Sequence, residues 1–317
     1  MTARCSPARV TLRIALATLV LALAACSGAD EATTATTTTT EAAPAPEPSP
    51  ANAENRVSID MKEYAYTLTG SLRAGTSTVA LGNSGTEYHM AEFNLLRPDK
   101  TVEDVRKALM TEDQSVFDTV VAKVLDAPGA FLAPGQSQEL TTPLLSAGTY
   151  AVVCYIPAPG DGAAHFAKGM VTTLTVAEGE ATATPAAGAT YTIGDGTVEG
   201  PATLPAGRTT LELASSGTGP HEFFAVRRKD PAVTFEALDK AFGDLFESES
   251  PPPPGYAETL PGVIVASSFD VPSGTKVFLT VDLQPGSYFL GCAREPGDED
   301  GVEAKEHTGE LIELTVT

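Results

Sequence analysis

Tryptophan is absent from this sequence, and histidine and cysteine occur only four times each. Basic residues are scarce too. Lys and Arg number 20 against 41 Asp and Glu, for a formal charge of −21. A chain this acidic excludes nucleic acid as a partner, because phosphates would be repelled over most of its surface. The same charge keeps it soluble and steers cationic partners towards it. Apolar runs are short: the longest stretch near the N-terminus, Ile14 to Ala25, is about a dozen residues, against roughly 20 for a membrane-spanning helix. There is no GxSxG elbow, no Walker loop, no GxGxxG opening a helix and no HExxH. The usual sequence marks of serine hydrolases, nucleotide-binding enzymes and zinc proteases are therefore missing.

What is present suits folded domains. Hydrophobic residues make up 42%, too many for a wholly disordered chain, and 28 Gly and 24 Pro punctuate short apolar segments. The length, 317 residues, predicts about two domains.

The N-terminus reads as a targeting segment. Arg4, Arg9 and Arg13 precede the apolar run, which ends in Leu23-Ala24-Ala25-Cys26. That tetrapeptide resembles a bacterial lipobox. The resemblance implies removal of residues 1–25, lipidation of Cys26 and attachment to the outer face of the cell membrane through the buried acyl chains. Residues 26–55 are rich in Ala, Thr, Pro and Glu without apolar periodicity, as expected of a lipidated, disordered stalk.

The remainder is one unit written twice. Leu72–Leu81 (LRAGTSTVAL) matches Leu204–Leu213 (LPAGRTTLEL), and Ser84-Gly85-Thr86 with His89 matches Ser216-Gly217-Thr218 with His221. Thr101–Leu109 matches Thr234–Phe242, and Gly148-Thr149-Tyr150 leading to Cys154 matches Gly286-Ser287-Tyr288 leading to Cys292. The order is kept while the offset grows slowly from 132 to 140. The expectation is a first domain over 56–178, a linker over 179–188 and a second domain over 189–317. Short alternating segments between Gly and Pro turns, such as Val57–Leu68, Thr76–Gly82, Tyr150–Tyr155 and Met170–Val176, predict an all-β fold of two tandem β-sandwiches. Each carries one helical insertion. In the first, Thr101-Val102-Glu103-Asp104 reads as a capping box, with Val102, Val105 and Leu109 on one helix face. In the second, Phe235, Leu238 and Phe242 have similar spacing ahead of the Pro251–Pro254 run.

With Cys5 and Cys26 assigned to the N-terminal segment, Cys154 and Cys292 remain, one per repeat. They could form a disulfide across a domain interface, lie buried and inert, or serve as metal ligands. The histidines favour the last in the first repeat. His89, Cys154, His165 and Met170 supply two imidazoles, one thiolate and one thioether, the ligand set of a type 1 copper centre. A soft thiolate with a weak axial thioether suits both oxidation states of copper. Zinc fits less well, since thioether is a poor zinc ligand.

On these residues the chain resembles the cupredoxin family over both repeats. In that family one His comes from an upstream strand, and Cys, His and Met come from the loop before the last strand. The stretch Cys154–Met170 (CYIPAPGDGAAHFAKGM) is similar to the loop of copper nitrite reductases. The resemblance implies Greek-key sandwiches, one copper in the first domain and a possible redox partner protein. In the second repeat His221, Cys292 and His307 form a weaker candidate site with no axial Met, so that domain reads as degenerate. A catalytic copper would need more histidines than these four. The expected role is therefore electron transfer or copper holding rather than an enzyme, the alternative being a metal-free surface binding or scaffold module.

Overall fold

The computed structural model describes residues 55–124, 129–181, 183–217, 220–246, 250–292 and 311–317. The targeting segment, Cys26, nearly all of the stalk and His307 lie outside them. No helix among the described residues is long and apolar enough to cross a membrane.

The fold is mostly β with few helices. In chain order the first half holds β1 (Arg56–Lys62), β2 (Ala65–Gly75), β3 (Ser77–Asn83), β4 (His89–Leu96), α1 (Val102–Leu109), α2 (Gln114–Phe117), β5 (Val121–Val124), β6 (Ala130–Leu132), β7 (Ser137–Thr142), β8 (Gly148–Val153) and β9 (Val171–Ala181). The second holds β10 (Ala189–Gly194), β11 (Thr197–Glu199), β12 (Thr203–Leu204), β13 (Gly207–Ser215), β14 (His221–Arg228), α3 (Phe235–Phe246), α4 (Tyr256–Thr259), β15 (Gly262–Val271), β16 (Lys276–Leu283), β17 (Gly286–Gly291) and β18 (Leu311–Val316).

The duplication read from sequence is written into the strand register. β1 runs parallel to β3 with Ile59 opposite Leu81, and β10 runs parallel to β13 with Tyr191 opposite Leu213, the same pair displaced by 132. β3 then pairs antiparallel with β7, and β13 with β16. In the first half β4, β8 and β9 pair antiparallel in turn, as do β14, β17 and β18 in the second.

The two halves join through their equivalent strands. β7 pairs antiparallel with β16, Leu140 facing Leu279, so each half covers the other's open sheet edge. Thr141 faces Phe278 and Glu139 faces Thr280, the arrangement of a local two-fold axis. One hydrogen-bonded path of strands thus runs through both repeats.

The sequence reading misses β7, because Ser-Gln-Glu-Leu-Thr-Thr is mostly polar. Its polar groups are buried but engaged. Glu139 lies 2.9 Å from Arg56 and 3.0 Å from Arg208 of the other repeat. The Gln138 side chain bonds both backbone groups of Ser267, and Thr141 meets Thr78 at 2.9 Å. The segment 57–68, expected as one strand, divides into β1 and β2 around Tyr64, which takes a positive φ of 61°. Apolar alternation continues on both sides of that turn and so conceals it.

Val57, Ile59, Val79, Leu81, Phe93, Val152 and Leu174 fill the first core; Tyr191, Leu211, Leu213, Val277, Leu279 and Tyr288 help fill the second. Both helical insertions form where expected. α1 opens with Thr101 accepting from the Asp104 N–H, while Asp104 accepts from the Thr101 N–H at 2.9 Å. Its Val105 is buried, with Val102 and Leu109 partly buried against the same cluster. Thr101→Ala should lower the unfolding free energy by about 1 kcal/mol, read as a shifted urea midpoint at unchanged slope.

Candidate metal centre

His89 opens β4, whose alternate residues His89, Ala91 and Phe93 are all buried, the latter two in the first core. Cys154 follows the last residue of β8. Its N–H reaches the Met170 carbonyl at 3.3 Å, which fixes the two ends of the intervening segment against each other. That segment folds back on itself. Ala158 N–H donates to Ala163 O at 2.9 Å, Pro157 and Ala164 form an isolated β-bridge, and His165 N–H donates to Ile156 O at 2.9 Å. Gly160 and Gly162, with φ of 84° and 70°, make the reversal. The ten residues between Cys154 and His165 are thereby absorbed in a small hairpin. A 3-10 turn over His165–Lys168, closed by Gly169 at φ 114°, then delivers Met170 to the start of β9.

The hairpin brings the donors together. His165 Nδ1 lies 3.2 Å from His89 Nδ1 and 3.4 Å from Cys154 Sγ. Among the described residues these three form the one group with metal-binding potential, their ligand atoms all within 4.8 Å of one another and all buried. Met170 is completely buried in the core cluster that contains Cys154. The Met90 N–H donates to Cys154 Sγ at 3.4 Å, a bond that favours a thiolate.

Two carboxylates and an aromatic ring complete the surroundings, and the sequence reading misses all three. Glu63 Oε1 lies 3.8 Å from His89 Nε2. Glu87 Oε2 lies 2.9 Å from His165 Nε2, at ion-pair distance but without hydrogen-bond alignment. Tyr64 meets the His165 ring edge-on with centroids 5.0 Å apart, and Lys168 sits over the Tyr64 ring. The repeat held a signal for one of them: Asp195, at the offset of 132 from Glu63, stands 3.6 Å from His221. Gly85 belongs to the same packing, since a Cβ there would fall 2.8 Å from His89 Nε2 and closer still to Glu63.

Burial sets the protonation of the donors. It pushes His89 down to about 4 and His165, with help from its His89 neighbour, down to about 3, so both rings are neutral at pH 7. It pushes the Cys154 thiol up to about 12. Burial also acts to raise Glu63, but hydrogen bonds from Thr86 outweigh it and hold that carboxyl below its ordinary value; Glu87 is raised by burial and by Glu63. The Nε2 atom of each ring is buried without an aligned hydrogen-bond partner, and the two Nδ1 atoms and the Cys154 sulfur crowd together at one buried point. A buried acceptor without a donor is costly. A soft cation in the thiol proton's place would satisfy all three donors, so the residues fit a copper ion.

In the second repeat His221 Nδ1 and Cys292 Sγ approach to 3.9 Å, while His307 lies outside the described residues. Neither Cys154 nor Cys292 is in a disulfide, and each thiol instead faces the histidine of its own repeat. The inter-repeat bridge considered from sequence does not form.

No protein-family model matches the chain, and no curated protein does. Among solved structures it is similar to a reduced auracyanin of the photosynthetic bacterium Roseiflexus castenholzii. The two are 17% identical over 42% of this chain and 99% of that one, with a TM-score of 0.27. It is also similar to auracyanin B, at 19% identity over 43% and 93% with a TM-score of 0.26. A multicopper oxidase matches over 83% of this chain and 88% of its own at 13% identity, with a TM-score of 0.22. Values this low do not assign the chain to a family.

The metal-free protein should lose stability on acidification. Unfolded histidines bind protons below about pH 6.5 while His89 and His165 refuse them down to about 4 and 3, so stability is full above 6.5 and falls through that window. Glu92, raised to about 7 by burial, acts in the opposite sense over the upper part of the window. Thermal midpoints of metal-free protein should fall between pH 7 and pH 5, more steeply in Glu92→Gln, and should no longer fall when His89 and His165 are both replaced by Gln, leaving the opposite slope of Glu92.

Proposed function

We propose that the first repeat holds one type 1 copper through His89, Cys154, His165 and Met170, and that the protein carries electrons or keeps copper rather than catalysing a reaction. The reading includes two tandem cupredoxin-like sandwiches, the second degenerate around His221, Cys292 and His307. It also includes a lipid on Cys26 that tethers them at the outer face of the cell membrane, within reach of a redox partner protein. The observation that carries the copper assignment is the convergence of two neutral imidazole nitrogens and one thiol, wholly buried and all within 4.8 Å of one another.

Bound there, copper would supply one-electron exchange between its cuprous and cupric states. The chain's own residues do the rest. The 157–164 hairpin keeps Cys154 and His165 adjacent, Met90 N–H steadies the sulfur, and Met170 offers the soft fourth donor. Glu63 and Glu87 behind the ring Nε2 atoms raise the basicity of the ligating nitrogens.

Adding cupric ion to reduced protein should produce an intense visible thiolate-to-metal band that saturates at one equivalent. Cys154→Ser should abolish it, and an absence of any band in the wild type would remove the assignment. In the copper-loaded protein Glu87→Gln, which withdraws negative charge from behind His165, should raise the reduction potential. A tenfold change in the ratio of cuprous to cupric affinity corresponds to about 59 mV for this one-electron couple, and voltammetry would read it.

A further inference from the structure

Both chain segments that carry the first repeat's donors are gripped by the second repeat. Tyr88, the residue before His89, donates its N–H to the Tyr256 hydroxyl at 3.1 Å. Its ring stacks on Tyr256, with centroids 6.1 Å apart at 24°, and meets Phe242 edge-on at 6.0 Å. On the other segment, Gly160 N–H donates to the Pro252 carbonyl at 3.0 Å. Gly162 is so close to Pro251 that a Cβ on it would come within 3.3 Å. Tyr88 and Tyr256 are each 1% exposed and belong to a cluster that joins Ala133 of the first repeat to Val226, Leu238, Leu260 and Phe289 of the second.

The two insertions differ among the described residues. The insertion of the first repeat, α1 and α2, packs in a cluster built wholly from first-repeat residues. The insertion of the second sends Pro251, Pro252 and Tyr256 onto its neighbour. A proline run makes a good brace, because its φ angles are fixed and it has little entropy to lose.

We propose that the second repeat is a clamp on the metal site of the first: Pro251, Pro252 and Tyr256 are positioning residues that hold the 157–164 hairpin and the start of β4 in the ligating arrangement and slow metal exchange. The metal-exchange part rests on the copper reading above; the clamping of the two segments does not.

The test uses the full chain with two variants. Tyr256→Phe keeps the ring and removes the hydroxyl that accepts from Tyr88, and Pro251→Ser combined with Pro252→Gly loosens the proline run. In metal-free protein, amide hydrogen exchange should speed up at least tenfold at Tyr88 in the first variant and at Gly160 in the second. After copper loading, a cuprous chelator should extract the metal about tenfold faster from either variant, with a shifted charge-transfer spectrum. Lys240→Ala, on the exposed face of α3, should change none of these. Wild-type exchange at Tyr88 and Gly160 would overturn the clamp, as would a lowered melting temperature with extraction rate and spectrum unchanged. If the wild type takes up no copper, the copper reading fails, and amide exchange alone decides the clamp.

Discussion

The short hairpin between Ile156 and His165 is the constraint on which the site depends. Cys154 and His165 are eleven positions apart, a distance that an extended chain would turn into tens of ångströms. Closing that gap with backbone bonds from Ala158 to Ala163 and from His165 to Ile156 leaves the thiol and the imidazole 3.4 Å apart. Two glycines take the left-handed turns that a Cβ would strain, and two prolines limit what the loop loses on ordering. Once it is closed, Met170 follows within one 3-10 turn, and β4 has only to present His89 from the neighbouring strand.

The second architectural fact is the seam between the repeats. Equivalent strands pair about a local two-fold, and a duplicated domain with an open edge at β7 would find its own copy the best available partner there. That arrangement explains the polar composition of β7. A strand in the middle of a continuous sheet need not be greasy if each polar group meets a partner, and Glu139 between Arg56 and Arg208 ties the two halves by charge as well as by backbone. The insertions escape the symmetry: one lies on its own sheet, the other crosses the seam.

Much of this was legible in the sequence. The repeat itself was legible, and in the structure it recurs as matched strand pairs, Ile59 opposite Leu81 and Tyr191 opposite Leu213, although the pairing was not. The donors His89, Cys154 and His165 were legible as rare residue types in a meaningful order. The strand β7 was not, since its burial depends on partners distant in the chain that no local pattern encodes. Glu87 and Tyr64 were hidden for the same reason: each reaches the site across a turn, and neither has a counterpart in the second repeat, where Gly219 and Gly196 stand at the matching offset. Glu63 could have been found, because Asp195 repeats both its position and its histidine.

The two histidine–cysteine pairs show why the copies diverge in chemistry while keeping their fold. His221 donates from Nε2 to the Ser216 carbonyl at 2.6 Å, which leaves its Nδ1 as an acceptor facing Cys292. One thiol proton then meets one ring lone pair, and that pair is satisfied without a metal. In the first repeat the equivalent thiol, Cys154, meets a second imidazole as well, and neither ring there has an aligned partner for its Nε2. Adding His165 to an otherwise shared arrangement therefore turns a satisfied hydrogen-bonded pair into a cluster of donors that a cation completes. It does so in a core already dense enough to hold them within 4.8 Å of one another.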